Sequence, residues 1–190
     1  GVGGTQYCFL LLIYYILRFD PKSYRVRVYC SSDCFFPQGV EKVLVEDIFE
    51  GLTESKRRGD DFIIIKDNKD QQLARFIDKL RHRIVIWGHN FYFGDYADWV
   101  AKSPSVIANV FVGRQQYDRY IDHPICDKSL FIYNMVPDVV GGKKRDNDGK
   151  TVVYLGALIP EKGFLILAKM WKYILKKVPM ARLQVIGGGN

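Results

Sequence analysis

A histidine, a lysine and three glycine-rich turns are the residues of this chain whose types and spacing could do chemistry. His89 stands in Trp87-Gly88-His89-Asn90, directly behind the apolar run Ile84 to Trp87. That run predicts a short buried strand, so His89 projects from a strand's carboxyl end. An imidazole there can donate or accept a proton near neutral pH and can bond hydroxyl groups. A structural loop histidine is the alternative reading. His82, among helix charges, and His123, ahead of Pro124, read as surface residues.

Lys162 stands in Pro160-Glu161-Lys162-Gly163, a sequence that leads into a helix. A helix N-terminus offers unpaired N–H groups and the positive end of a dipole, which suits an anion such as phosphate. The other reading is a solvated lysine in the first turn. Gly156 and Gly187 each follow an apolar run, and Gly3-Gly4 open the chain ahead of another helix. Such turns let backbone approach a ligand or another segment closely, and tight packing explains Gly3-Gly4 as well as ligand contact does. A dinucleotide-type G-x-G-x-x-G reading fails there, because Gln6 stands where the third glycine is needed.

The elements that must position these residues alternate. The spacing predicts a helix over Thr5 to Phe19, stopped by Asp20-Pro21, and a strand around Val26 and Val28. Asp33 to Gly39 reads as a loop, Val40 to Leu52 fits neither period, and Thr53 to Asp61 reads as a charged connection. Phe62 to Ile65 is a strand, Asp70 to Arg81 an amphipathic helix, and Ile84 to Trp87 a strand. A helix over Tyr96 to Lys102, a strand over Val106 to Val112, a short helix through Tyr117 to Ile121 and a strand over Leu130 to Tyr133 follow. Val152 to Leu155, a helix with Phe164, Leu167, Ala168, Trp171, Ile174, Leu175 and Val178 on one stripe, and Leu183 to Ile186 form a closing strand–helix–strand unit. Strand–helix alternation predicts α/β architecture with doubly wound parallel sheets, whose ligands bind outside the carboxyl ends of the strands. Gly141 to Lys150, rich in glycine, lysine, aspartate and asparagine, is the expected linker. The expected organisation is therefore a first Rossmann-like domain over 1–140, its first strand missing, a linker over 141–150, and the start of a second domain over 151–190. The chain is expected to be an internal piece of a longer protein.

A hydrophobic share of 48% and a charged share of 26% belong to an ordinary globular chain, not a disordered one. The net charge of +7 permits contact with phosphates of any origin. Cys8, Cys30, Cys34 and Cys126 lack a metal-like spacing and read as reduced thiols. The apolar run Cys8 to Leu17 is too short to span a bilayer, which takes roughly 20 residues.

The segment Thr151–Asn190 resembles the start of the nucleotide-sugar-binding domain of retaining GT-B glycosyltransferases, the "glycosyltransferase group 1" family. The shared pattern is a strand, a glycine turn, a Pro-Glu-Lys-Gly helix start and a strand ending in glycines. Gly156-Ala157-Leu158 departs from it where many members carry Gly-Arg, which removes one expected cation. The two-domain order also resembles GT-B, with the acceptor-side domain first, loosely before Thr151 and specifically after it. The resemblance implies transfer of a sugar from a nucleotide-sugar donor to an acceptor hydroxyl with retention, in polysaccharide or glycoconjugate synthesis. It implies a catalytic role for His89 near the transferred sugar, and donor binding by Gly3, Gly4, Gly156, Lys162 and Gly187. Asn134 matches the position of a family Ile-Pro-Asn-Gly turn but lacks the glycine, and reads as a turn residue; Gln115 and Gln116 lie near a strand end without an assigned role.

The resemblance implies a class that works without a bound metal, so no metal and no cofactor are expected, the nucleotide-sugar being a substrate. A glycan or lipid-linked acceptor and a cytoplasmic location are implied, with peripheral membrane contact through Lys169, Lys172, Lys176 and Lys177. The family's pair of glutamates is expected beyond Asn190, so this chain alone is expected to be inactive. Two rival readings are an NAD-dependent dehydrogenase on the same fold, and a basic nucleic-acid-binding module. The failed glycine fingerprint opposes the first. The aromatics fall on apolar stripes and do not interleave with basic residues, which opposes the second, and no nucleic acid is expected as a partner.

Overall fold

The computed structural model describes residues 4–33, 35–137 and 149–188. It divides into two compact units, Gly1–Pro137 and Asp138–Asn190. The chain is α/β with parallel sheets throughout. Most of the expected linker lies outside the described residues.

The first unit opens with helix α1 (Gly4–Phe19), which buries Cys8, Leu11 and Ile13. Strands β1 (Val26–Cys30) and β2 (Val40–Leu44) pair in parallel as a two-stranded sheet. Helix α2 (Ile48–Arg57) leads to β3 (Ile63–Lys66), helix α3 (Gln71–Leu80) to β4 (Ile84–Gly88), and helix α4 (Tyr96–Lys102) to β5 (Val106–Phe111). Helix α5 (Arg114–Asp118) and a 3-10 turn over Pro124–Lys128 precede β6 (Ser129–Phe131). Strands β3, β4, β5 and β6 form a parallel sheet in that order.

The core sits on the face of this sheet that carries Ile84 and Ile86. Leu52 of α2, Leu73 and Ile77 of α3, and Val100 of α4 pack there with Phe111, Ile125 and Tyr92. Trp87, next along β4, meets Phe9 of α1 with ring centroids 4.9 Å apart. Side chains alternate across a strand, so α1 covers the opposite face.

Two readings of the sequence are corrected here. The ambiguous stretch Val40 to Leu52 is a strand followed, after residues 45–47, by a helix of a different period. The supposed connection Thr53 to Asp61 is largely the second half of α2. That helix starts where the Asp47 side chain accepts the Glu50 N–H at 2.9 Å, while the Glu50 carboxylate accepts the Glu46 N–H at 2.6 Å. Its charges ride on the outer face, and Leu52 and Ser55 are buried beneath them.

The second unit is strand β7 (Thr151–Leu155), helix α6 (Phe164–Lys177) and strand β8 (Arg182–Ile186), with the two strands parallel. Phe164, Leu167, Trp171 and Ile174 are the half-covered residues of α6, while Ala168, Leu175 and Val178 of the expected stripe are exposed. Pro160–Lys162 is a separate 3-10 turn, and Gly163, at φ 73°, breaks the chain direction before α6 begins. Lys162 therefore precedes the helix instead of standing in its first turn. Among the described residues no helix is long and apolar enough to cross a membrane.

Candidate functional site

Strands β3 and β4 end side by side, with Lys66 in register with Trp87. The Asp67 N–H extends the ladder by one bond, donating to the Trp87 carbonyl at 3.2 Å. Its side chain then turns across the strand ends. One carboxylate oxygen accepts the His89 N–H at 2.9 Å, and the other accepts the Asn90 side-chain amide at 3.1 Å. Asp67 is only 7% exposed, so these bonds compensate a buried charge. The Asn68 N–H donates to the Tyr96 hydroxyl at 3.2 Å. Burial pushes that phenol up to about 12, which keeps it neutral. A pocket of about 440 Å³ opens at these strand ends, lined by Ile48, Lys66, Asp67, Asn68, Lys69 and Asn90.

His89 is fixed beside this pocket by its backbone bond to Asp67. Its ring lies 5.2 Å from that of Trp87, and its buried Nε2 has no partner among the described residues. Desolvation holds the imidazole below its ordinary value; the Asp67 charge opposes this and Lys66 adds to it. At neutral pH the ring is therefore uncharged, with one ring nitrogen uncommitted to any hydrogen bond. Phe93, 60% exposed, stands under the Lys69 ammonium at 4.6 Å and the Arg119 guanidinium at 5.8 Å. Exposed cations, two carboxamides and a neutral imidazole together suit a polyhydroxylated or anionic ligand.

The second unit shows a different construction. Strands β7 and β8 run out into turns that bond to one another: Gly156 N–H donates to the Ile186 carbonyl at 3.0 Å, and Leu158 N–H to the Gly188 carbonyl at 3.0 Å. A Cβ on Gly187 would lie 1.9 Å from the Gly156 carbonyl oxygen. Gly187 is therefore required by backbone packing against Gly156. The Tyr154 hydroxyl donates to the Ala157 carbonyl at 2.8 Å and lies 3.4 Å from the Lys162 carbonyl, which ties the 3-10 turn to the end of β7. Lys162 itself is exposed.

Of the glycines expected at a ligand, Gly3 lies outside the described residues. Gly4 is the first residue of α1, and a Cβ there would meet nothing within 4 Å. Packing does not account for this glycine. Asn134 and Gln115 are exposed, and the side-chain oxygen of buried Gln116 accepts the Val112 N–H at 3.1 Å, a structural bond. His82 is not a surface residue. It is 7% exposed, with Nε2 3.0 Å from the Ser55 hydroxyl, because α2 folds over it.

Reading the sequence missed the centre of the pocket. Lys66, Asp67, Asn68 and Lys69 follow a strand just as His89 does, and the rule that singled out His89 also covers them. Among the described residues no cluster of three or more histidine, cysteine or acidic side chains could hold a metal ion. No protein-family model, no curated protein and no solved structure matches the chain.

Proposed function

We propose that this chain belongs to a nucleotide-sugar-dependent glycosyltransferase of GT-B architecture that retains the donor's anomeric configuration. In this reading the first unit receives the acceptor, with the Asp67-centred pocket and His89 bonding hydroxyls of the acceptor or the transferred sugar. The second unit begins the donor domain. As the bond between the anomeric carbon and the diphosphate breaks, negative charge grows on the departing phosphate oxygens. The acceptor oxygen forms the new bond to the anomeric carbon and gives up its proton to a departing phosphate oxygen. Groups aimed at the growing charge are the ones that accelerate such a step. Lys162 and the unpaired N–H groups at the start of α6 are assigned that role.

The observation that carries this reading is the neutral imidazole of His89, pinned by Asp67 at a strand's carboxyl end with one nitrogen unpaired. The glycine turns after β7 and β8 lie at the corresponding ends of their own sheet, where parallel α/β sheets take ligands. Calorimetric titration of the chain with UDP- and GDP-sugars tests it. Binding of one of them, weakened about tenfold (roughly 1.4 kcal/mol) by Lys162→Gln, is the expected result. Binding of NAD with none of a nucleotide sugar supports the dehydrogenase instead.

Contact with an anionic membrane surface is part of the proposal. Lys169, Lys172 and Lys176 are exposed on α6. Sedimentation with vesicles containing anionic lipid, and none with neutral vesicles, is the expected outcome.

A further inference from the structure

We propose that the amino ends of β4 and β5 carry a second ligand site, in which Arg81, His82 and Arg83 bind a phosphomonoester group. It lies the length of β4 away from Asp67 and His89, about 16 Å at roughly 3.3 Å per residue. It does not depend on the sugar-transfer reading.

A pocket of about 340 Å³ opens there, lined by Arg81, His82, Arg83, Pro104 and Ser105. Its floor is the start of the sheet, where the Ile84 N–H donates to the Ser105 carbonyl at 2.8 Å. Arg81 and Arg83 are exposed, and their guanidinium groups make no ion pair or hydrogen bond among the described residues. The neighbouring Arg27, Arg57 and Arg58 are each held by a carboxylate. Arg81 ends α3 at φ 52° and ψ 41°, and is the one non-glycine residue at positive φ among the described residues. Glycine or asparagine usually makes that turn. Here a residue that the conformation disfavours makes it, and so a guanidinium stands at the pocket.

Between the two arginines, His82 is 7% exposed. Its Nε2 lies 3.0 Å from the Ser55 hydroxyl, which lies 2.8 Å from an Asp60 carboxylate oxygen. A carboxylate only accepts, so the hydroxyl donates to Asp60 and the Ser55 oxygen accepts from the His82 Nε2–H. The neutral ring therefore keeps a lone pair on Nδ1. That nitrogen has no partner among the described residues and, unlike the His89 Nε2, is not sealed from solvent. With Nε2 turned to Ser55, the pocket is where Nδ1 opens.

Helices α3 and α4 also end at this edge, and their last carbonyls oppose an anion. Both ends are covered. The Lys56 ammonium bonds the Leu80 carbonyl, the Ser105 hydroxyl donates to the Ile77 carbonyl at 3.1 Å, and Lys128 bonds the Ser103 carbonyl at 3.0 Å.

Two planar guanidinium forks suit phosphate oxygens, and the ring supplies a place for a proton. Burial holds His82 below the ordinary histidine value; the Asp60 charge opposes this and Lys56 adds to it. Arg27 and Tyr29 meet the ring through Asp60, Arg81 and Arg83 flank it, and Pro104 and Ser105 bring no charge. A phosphomonoester loses its second proton near pH 6. It fits either as a monoanion donating its P–O–H to Nδ1 or as a dianion facing the imidazolium. Both forms hold one proton between Nδ1 and a phosphate oxygen. Binding above about pH 7 therefore takes up a proton, and affinity rises as pH falls from 8 toward 6.

The test is an NMR titration of the full chain with inorganic phosphate, read at the His82 ring nitrogens, with chloride at equal ionic strength as the control. Phosphate is expected to raise the His82 midpoint by about one pH unit over chloride. Arg81→Gly relieves the backbone, so the chain stays folded with an equal or higher thermal midpoint, yet it should bind phosphate about tenfold more weakly, as should Arg83→Gln. His82→Gln keeps a donor to Ser55, and the gain in affinity on acidification should disappear. A midpoint that moves equally with chloride, or binding that Arg81→Gly leaves intact, overturns the proposal. Two further probes separate the sources of the phosphate. Binding of glycerol 3-phosphate assigns a soluble phosphomonoester. Sedimentation with phosphatidylcholine vesicles containing phosphatidic acid, lost in Arg81→Gly/Arg83→Gln, assigns a lipid headgroup. Binding of neither through these arginines overturns it.

Discussion

The Asp67 carboxylate accepts the backbone N–H of His89 at 2.9 Å, across the ends of two parallel strands. One buried acid therefore orients the histidine loop, holds Asn90, and sets part of the charge that the imidazole feels.

Asp67→Ala leaves the His89 N–H and the exposed Asn90 amide without the buried carboxylate that accepts them. The cost is about 1–3 kcal/mol by urea denaturation. Asp67→Asn keeps one acceptor oxygen and should lose less. Because the Asp67 charge raises the His89 value against desolvation, either substitution moves that histidine's titration to lower pH. An NMR titration that leaves it unmoved would show that the two groups are not coupled.

His82 and His89 both titrate below the ordinary histidine value because burial disfavours the charged ring. An unfolded chain takes up these protons near pH 6.5, the folded one only at lower pH. The unfolded state thus binds more protons in that window, and stability falls as pH falls. Their contribution is complete above about pH 6.5 and is lost as pH drops through the folded values. Urea midpoints measured from pH 8 to pH 5 should decline, and the decline should flatten in the double variant His82→Gln/His89→Gln. An equal slope in the variant would assign the acid sensitivity to other groups.

What could be read from the sequence follows from how local each signal is. Helix α4 was legible because Ser103-Pro104 stops it, and α3 because Leu73, Phe76, Ile77 and Leu80 repeat within one segment. Helix α2 was not, since β2 ends only at Leu44 and its strand period runs into the helix. Glu54, Lys56 and Arg57 also disguised a helix whose buried side is Gly51, Leu52 and Ser55. His89 stood out by its place after a strand. Its link to Asp67 crosses 22 residues and exists only through the pairing of β3 with β4, which no local pattern records. His82 was misjudged for the same reason: its neighbours Arg81 and Arg83 are exposed, and the covering Ser55 is distant in sequence.

Behind the site, the Tyr92 hydroxyl donates to the Asn109 side-chain oxygen at 2.6 Å, and Asn109 is fully buried. The Asn109 amide passes a bond to Ser129 at 3.0 Å, so the three side chains tie the segment after β4 to β5 and β6. Tyr92→Phe keeps the ring against Phe111 and Tyr120 but leaves the asparagine oxygen unpaired. A loss of about 1–3 kcal/mol is expected with no change in fold by circular dichroism. A loss below about 0.5 kcal/mol would mean that the oxygen finds another donor.

Gly187 and Gly4 make opposite demands, and the pair separates close backbone packing from mere absence of a side chain. Alanine at 187 would place its Cβ 1.9 Å from the Gly156 carbonyl oxygen, in a backbone conformation (φ 156°) that side chains rarely adopt. Neither turn can absorb that overlap while Gly156 N–H stays bonded to the Ile186 carbonyl, so β7 and β8 must part at their carboxyl ends. Amide exchange at Gly156 and Leu158 should then approach that of an open chain. Alanine at 4 meets nothing within 4 Å and opens a helix, where less freedom in the unfolded chain favours folding by about 0.4–1 kcal/mol. Gly4→Ala should therefore raise or preserve the thermal midpoint. If it also abolishes nucleotide-sugar binding by the intact chain, the glycine serves the ligand and not the helix.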